Sequence, residues 1–193
     1  VGGFAKILEQ TPDDLETLRS LSAAYGSLGN LSIAEEAPKE AKENFENAAE
    51  GFQKILEKTP DDLQALGLLS TCYSQLGDFE KEEGDLDQAK EYCEKRIETI
   101  EIIVERSPDD LRAASALSGA YSALGALLYD EGKLEQARER YEKAREGFGK
   151  VVERAPEDWE ALRNLSAVCG RLGDVSNAEG DRKQAREYYE KAL

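Results

Sequence analysis

Four tetrapeptides recur every 48 residues: Thr11-Pro12-Asp13-Asp14, Thr59-Pro60-Asp61-Asp62, Ser107-Pro108-Asp109-Asp110 and Ala155-Pro156-Glu157-Asp158. Self-similarity at a fixed period of roughly 20–50 residues marks a solenoid, in which each unit covers its neighbour's apolar face. Such a chain works through an extended surface and not through a buried pocket. The period reads the 193 residues as one continuous array: the end of a preceding unit (1–10), units at 11–58, 59–106 and 107–154, and a truncated fourth (155–193).

The residues after each tetrapeptide repeat at helical spacing. In the third unit these are Leu111, Ala114, Leu117, Tyr121, Leu124 and Leu128. The first unit has Leu15, Leu18, Leu21, Tyr25 and Leu28, the second Leu63, Leu66, Leu69, Tyr73 and Leu76, the fourth Trp159, Leu162, Leu165, Cys169 and Leu172. Each unit is therefore expected to open with an amphipathic helix of about 22 residues, roughly 33 Å long. Thr11, Thr59 and Ser107 are the expected N-caps, with Pro at the first helical position and the acidic pair against the positive end of the helix dipole. Ala155 has no capping oxygen, so the fourth unit's cap is expected to be weaker.

Glycine punctuates each unit twice. Gly29, Gly77, Gly125 and Gly173 fall inside the first helix, where a glycine costs about 1 kcal/mol against Ala. Four at one phase predict a close approach of two helices. Gly84, Gly132 and Gly180 end the first helix and turn the chain. The first unit has Ala37-Pro38 at this place, so its turn is expected to differ, with Pro38 opening the next helix. Second helices are expected from Pro38, Leu86, Leu134 and Arg182. They carry Ala41, Ala89, Ala137 and Ala185, then Phe45, Cys93, Tyr141 and Tyr189, then Ala48, Arg96, Ala144 and Ala192. A small–large–small stripe lets two helices close on an aromatic wedge. Phe4, Ile7 and Leu8 match Phe148, Val151 and Val152 in phase, which predicts that Val1 falls inside a second helix. Leu193 likewise falls in mid-helix, and a fragment of a longer array is the expectation.

Net charge is −16, from 41 acidic and 25 basic residues. That balance repels phosphate backbones and anionic head groups, so neither nucleic acid nor a membrane surface is an expected partner. No apolar run approaches the ~18 residues of a membrane span. The compartment stays open, with a cytoplasmic setting slightly favoured over export. Cys72, Cys93 and Cys169 are odd in number and lack metal-ligand spacing, and they read as small core hydrophobes. There is no histidine, which removes the commonest general base. With no nucleophile–base pair and no metal cluster, an enzyme is not expected, and no cofactor is implied. Asn30-Leu31-Ser32 and Asn164-Leu165-Ser166 match the glycosylation acceptor pattern, the second at a core position. Gly147-Phe148-Gly149-Lys150 is too short for a phosphate loop and sits in mid-helix.

In the third unit, Tyr121, Leu124-Gly125, Gly132, Ala137, Tyr141, Ala144 and Pro156 together resemble the tetratricopeptide repeat, and the likeness runs along the whole chain. The usual unit of that family is about 34 residues. The extra length here, about seven residues per helix, adds two turns to each and so preserves the packing face. Leu165-Ser166, Leu172-Gly173-Asp174-Val175 and Gly180-Asp181 are similar to bacterial and archaeal long-unit arrays of this family. Such arrays often accompany signalling, protease-like or nucleotide-switch domains. The resemblance implies an all-α, right-handed superhelical solenoid of antiparallel helical hairpins. It also implies a concave side lined by the first helices, where ligands of the family lie.

Carried onto this sequence, that side comprises Arg19, Ala23, Gly26, Asn30 and Ile33; Gly67, Thr71, Ser74, Asp78 and Lys81; Ser115, Gly119, Ser122, Ala126 and Tyr129; and Arg163, Ala167, Gly170, Asp174 and Asn177. Small residues line its middle, which suits a helix or an extended segment, but the same residues could serve only to let neighbouring first helices pack. The family's carboxylate clamp of Lys and Asn would fall at Gly26, Ser74, Ser122 and Gly170, which cannot supply it. The expected function is a non-catalytic scaffold that binds a protein or peptide on the concave face. The alternative is a structural array that associates head to tail into a fibre or larger assembly.

Overall fold

The computed structural model describes residues 2–11 and 13–193, and the side chains of Ala5, Leu8 and Glu9 stay outside that description. The expectations placed on Val1, on the Leu8 side chain and on Pro12 as a first helical residue therefore lie outside the described residues. The helices are α1 (Gly2–Gln10), α2 (Leu15–Ala34), α3 (Pro38–Lys58), α4 (Leu63–Glu83), α5 (Leu86–Arg106), α6 (Leu111–Asp130), α7 (Leu134–Arg154), α8 (Trp159–Ala178) and α9 (Arg182–Lys191). No strand occurs among the described residues. Two compact units divide the chain, each holding two of the repeats: a first unit, Val1–Thr99, and a second unit, Ile100–Leu193.

The tetrapeptides beginning at Thr59, Ser107 and Ala155 each form a turn, and this corrects the expected caps. Asp62 N–H bonds to Thr59 O at 3.1 Å, Asp110 N–H to Ser107 O at 3.0 Å and Asp158 N–H to Ala155 O at 3.0 Å. Pro60, Pro108 and Pro156 thus occupy the second position of a turn, where their fixed φ is favourable. The N-cap is the last residue of the motif. Asp14 accepts from the N–H groups of Glu16 and Thr17, Asp110 from Arg112 and Ala113, and Asp158 from Glu160 and Ala161. The cap of the fourth repeat is therefore intact, because Asp158 makes it and Ala155 is not asked to. Thr59 instead closes the preceding helix, its Oγ1 donating to Ile55 O at 2.8 Å. The other acid of the pair serves as a tie: Lys58 at the end of α3 pairs with Asp13, and Arg154 at the end of α7 pairs with Asp109 at 2.8 Å.

The helices pair antiparallel within each unit. In the first unit a Cβ added at Gly29 of α2 would lie 2.8 Å from the Phe45 ring of α3, and one at Gly51 of α3 would lie 1.9 Å from Ser22 Oγ. Positions 29 and 45, then 22 and 51, face each other, so the strands of chain run in opposite directions. The second unit repeats this, with Gly125 2.9 Å from the Tyr141 ring and Gly147 2.2 Å from Ser118 Oγ. The aromatic wedge is buried as expected: Ala41, Phe45 and Ala48 are at most 1 % exposed, as are Ala137, Tyr141 and Ala144. Where Cys93 replaces the aromatic, Gly77 is relaxed, its nearest foreign atom being Tyr92 Cβ at 3.5 Å. The Ser–Gly approach is a second close contact that the phase of Gly51 and Gly147 could have signalled.

The first helices end in a common motif. Asp85 N–H bonds to Glu80 O, Lys133 N–H to Leu128 O and Asp181 N–H to Ser176 O, each at 2.9 Å, with Gly84, Gly132 and Gly180 left-handed at φ 85°, 76° and 86°. The expectation of a different turn at Ala37-Pro38 is corrected. Ala37 N–H bonds to Ser32 O at 2.8 Å in the same way, and Glu36 takes the glycine's place at φ 56°. A non-glycine residue in this region costs roughly 1–2 kcal/mol. Pro38 opens α3, as expected.

Candidate functional site

The first helices of each unit are neighbours: α2 touches α4, and α6 touches α8. Their shared face is kept low by glycine. A Cβ built on Gly26, Gly67, Gly119 or Gly170 meets nothing within 4 Å. Helix packing does not require glycine at these four positions, unlike Gly29, Gly51, Gly125 and Gly147. Between them lie short polar residues whose hydroxyls turn back onto the helix, such as Thr71 Oγ1 on Gly67 O at 3.1 Å and Ser27 Oγ on Ala23 O at 3.0 Å.

In the first unit, Ala23, Asn30, Thr71, Asp78 and Lys81 are exposed, while Gly26 and Ser74 are half-buried. Arg19 is engaged within the fold, paired with Asp62, the N-cap of α4, and this holds the Asp62 carboxyl below its usual range. In the second unit, Ser115, Gly119, Ser122, Ala126, Tyr129, Gly170 and Asp174 are half-buried, while Arg163, Ala167 and Asn177 are exposed. Asn177 lines a shallow recess of about 320 Å³ with Arg182, Ala185, Arg186, Tyr189, Glu190 and Leu193.

The first unit gathers three of the expected residues into a larger cleft. Ile33, Asp78 and Lys81 line about 610 Å³ together with Glu36, Ala37, Pro38, Gln75, Phe79 and Glu82. The floor is apolar: Ile33 is 43 % exposed, and the Phe79 ring packs on Phe45 with centroids 6.3 Å apart. Glu36 and Glu82 are exposed. Asp78 opens to solvent, yet the packed side of its carboxylate is desolvated, which pushes its pKa up against the pull of Arg96 and Lys81. Glu36 holds the phase of Gly84, Gly132 and Gly180 and is not among the expected partner-face residues. The remaining lining comes from the turn and from the inner edge of α4, which helical periodicity does not single out.

The chemistry is that of a surface. Among the described residues no group of His, Cys, Asp and Glu could hold a metal ion. The cysteines are free, and burial pushes the Cys72 thiol up to about 12 and the Cys93 thiol to about 11. No helix among the described residues is long and apolar enough to cross a membrane.

Antiparallel helical pairs closed on an aromatic–glycine contact define an α-helical repeat protein. Two tetratricopeptide repeat models match, at residues 71–99 and 122–193, and the chain belongs to that family. The family is one of protein-interaction scaffolds and is typically non-catalytic. No curated protein sequence matches the chain. Among solved structures it is similar to BtubC (BKLC) from P. vanneervenii, at 19 % identity and TM-score 0.60, over 99 % of this chain and 72 % of that one. It is also similar to the chain of the DHF58 filament, at 21 % identity and TM-score 0.55, over 92 % of each. At these identities the likeness concerns the fold.

Proposed function

We propose that this chain is a non-catalytic scaffold that holds a helix or an extended segment of a partner protein against the exposed face of its first helices. The carrying observation is that Gly26 and Gly67 lie on that face of the first unit, and Gly119 and Gly170 on that of the second, each with open space beside it. A helix-interior glycine costs about 1 kcal/mol, and no packing contact at these positions offsets it. A face kept low lets a partner backbone approach closely, as helix-in-groove and extended-segment recognition both need. The cleft lined by Ile33, Asp78 and Lys81 supplies the relief that a flat helix pair lacks.

The test uses a random peptide library displayed on phage, selected on the intact chain. Selected clones are then measured on Ser74→Arg and Ser122→Arg, which place a bulky side chain on the face of each unit without filling a core position. Loss of binding with melting temperatures near that of the parent supports the reading. Clones that bind both variants as well as the parent refute it, because their site then lies elsewhere.

A second reading, end-to-end self-association, draws on Phe4 and Ile7 of α1, which are 38 % and 46 % exposed, and on the recess around Tyr189. Light scattering decides it: one monomeric mass across a wide concentration range removes it.

A further inference from the structure

The repeat allows the chain to be compared with itself. Asp78 and Asp174 occupy the same phase, each directly after the glycine that approaches the second helix. In the second unit the Asp174 carboxylate accepts a hydrogen bond from the Tyr189 hydroxyl at 2.9 Å. The residue at the phase of Tyr189 in the first unit is Cys93, whose side chain cannot reach out with a hydroxyl. Asp78 accordingly accepts no hydrogen bond among the described residues. Arg96 and Lys81 act on it only as nearby charges. Asp78 lines the 610 Å³ cleft, where partial burial of its carboxylate raises its pKa.

A second departure from the repeat lies at the rim of the same cleft. Glu36 stands where the three other turns have glycine, in a backbone region that suits glycine. The turn closes with the same hydrogen bonds as the others, so its geometry does not require glutamate. What glutamate adds is a carboxylate beside the cleft. With Glu82 and Asp78, it sets three acids against Lys81 in the lining and Arg96 behind Asp78, beside the apolar Ile33, Ala37, Pro38 and Phe79. At the same phases the second unit has Gly132, Ala178, Asp174 and Asn177, where the one acid is satisfied by Tyr189.

We infer that the first-unit cleft is the specificity pocket of the partner face and takes one basic side chain, arginine or lysine, of the bound segment. This rests on the scaffold reading and names the partner's chemistry. The aliphatic stem lies along Ile33, Pro38 and Phe79, as long basic side chains do on apolar surface. The cationic head meets Asp78, with Glu36 and Glu82 at the rim. The head takes the place of the hydroxyl that Tyr189 gives to Asp174 and sets a positive donor against the carboxylate in place of a neutral one.

Peptides selected from the phage library on the intact chain should be enriched in arginine or lysine flanked by apolar residues. A synthetic copy of a selected peptide is then compared with one carrying citrulline in place of the arginine, a change that keeps shape and removes charge. Fluorescence anisotropy should show the arginine peptide binding roughly tenfold or more tightly, as expected for a hydrogen bond to a charged group. Asp78→Asn should remove the difference between the two peptides. Cys93→Tyr should do the same by giving Asp78 the partner that Asp174 has. Selected peptides without basic enrichment, or equal binding of the two peptides, would overturn the inference. So would a preference unchanged in both variants. If those peptides still lose binding on Ser74→Arg, the scaffold reading stands while the pocket falls. If the library yields no peptide at all, both fall.

Discussion

Replacing the four repeat-phase glycines of the first helices with alanine, one at a time, separates two effects that usually act together. Alanine is favoured over glycine in a helix interior by about 1 kcal/mol. At Gly77 nothing opposes that gain: the new Cβ lies 3.5 Å from Tyr92 Cβ and 3.7 Å from Ala89 O, both ordinary contacts. Gly77→Ala should therefore stabilise by about 1 kcal/mol. For a chain of this size that raises the melting temperature by roughly 2–4 °C. At Gly125 the Cβ lies 2.9 Å from the Tyr141 ring, and at Gly29 2.8 Å from the Phe45 ring. Both rings are 1 % exposed and have nowhere to swing. Overpacking of this kind costs about 1–3 kcal/mol. These two variants should be neutral to about 2 kcal/mol less stable. Gly173 is the intermediate case: its Cβ would lie 2.5 Å from Tyr189, but that ring is 40 % exposed and can move aside. Urea unfolding followed by circular dichroism reads all four. A Gly125→Ala variant as stable as Gly77→Ala would refute the reasoning, because the ring would then not set the helix separation.

Glu36→Gly should stabilise by about 1 kcal/mol by relieving the left-handed backbone, and it should weaken binding of the arginine peptide; a melting curve and the anisotropy assay check the two together. Tyr141→Phe should stabilise by about 1 kcal/mol or more, since the Tyr141 hydroxyl is buried with no partner and Phe45 fills the same place in the first unit; urea unfolding measures it. The Arg19–Asp62 pair gives a pH signature. Hydrogen bonding to Arg19 lowers the folded-state pKa of Asp62, so its contribution is present above the ordinary aspartate value of 3.8 and is lost as pH falls through the lower folded value. Arg19→Gln should flatten stability in that acid window and leave its pH dependence near neutrality unchanged, as thermal melts across the range would show.

Much of the fold was legible because the period made each residue an internal control. Pro38, Leu86, Leu134 and Arg182 begin second helices where the phase put them, and Gly84, Gly132 and Gly180 end first helices. The caps were misplaced by three residues because Thr, Ser and Asp are all good N-caps and the motif contains two kinds. The turn geometry decides between them, by carrying Asp14 and not Thr11 to the first free N–H groups. At Ala37-Pro38 the proline is the visible departure from the repeat, while the residue under strain is Glu36, two positions earlier, whose sign of φ no periodicity carries. The partner face was legible as a phase. The cleft was not, because it depends on a missing ring at Cys93 and on a turn residue, two local departures from the repeat.

The ties that close the turns have a consequence for how such a chain can change length. Lys58 reaches back to Asp13, and Arg154 to Asp109, each across 45 residues of chain. Basic and acidic partners recur at the same phases, so excision or duplication of one whole 48-residue stretch delivers a new partner to every broken tie. A cut at any other length leaves a carboxylate facing the wrong residue. Insertion or removal of whole periods therefore keeps these ties, whereas other lengths lose them.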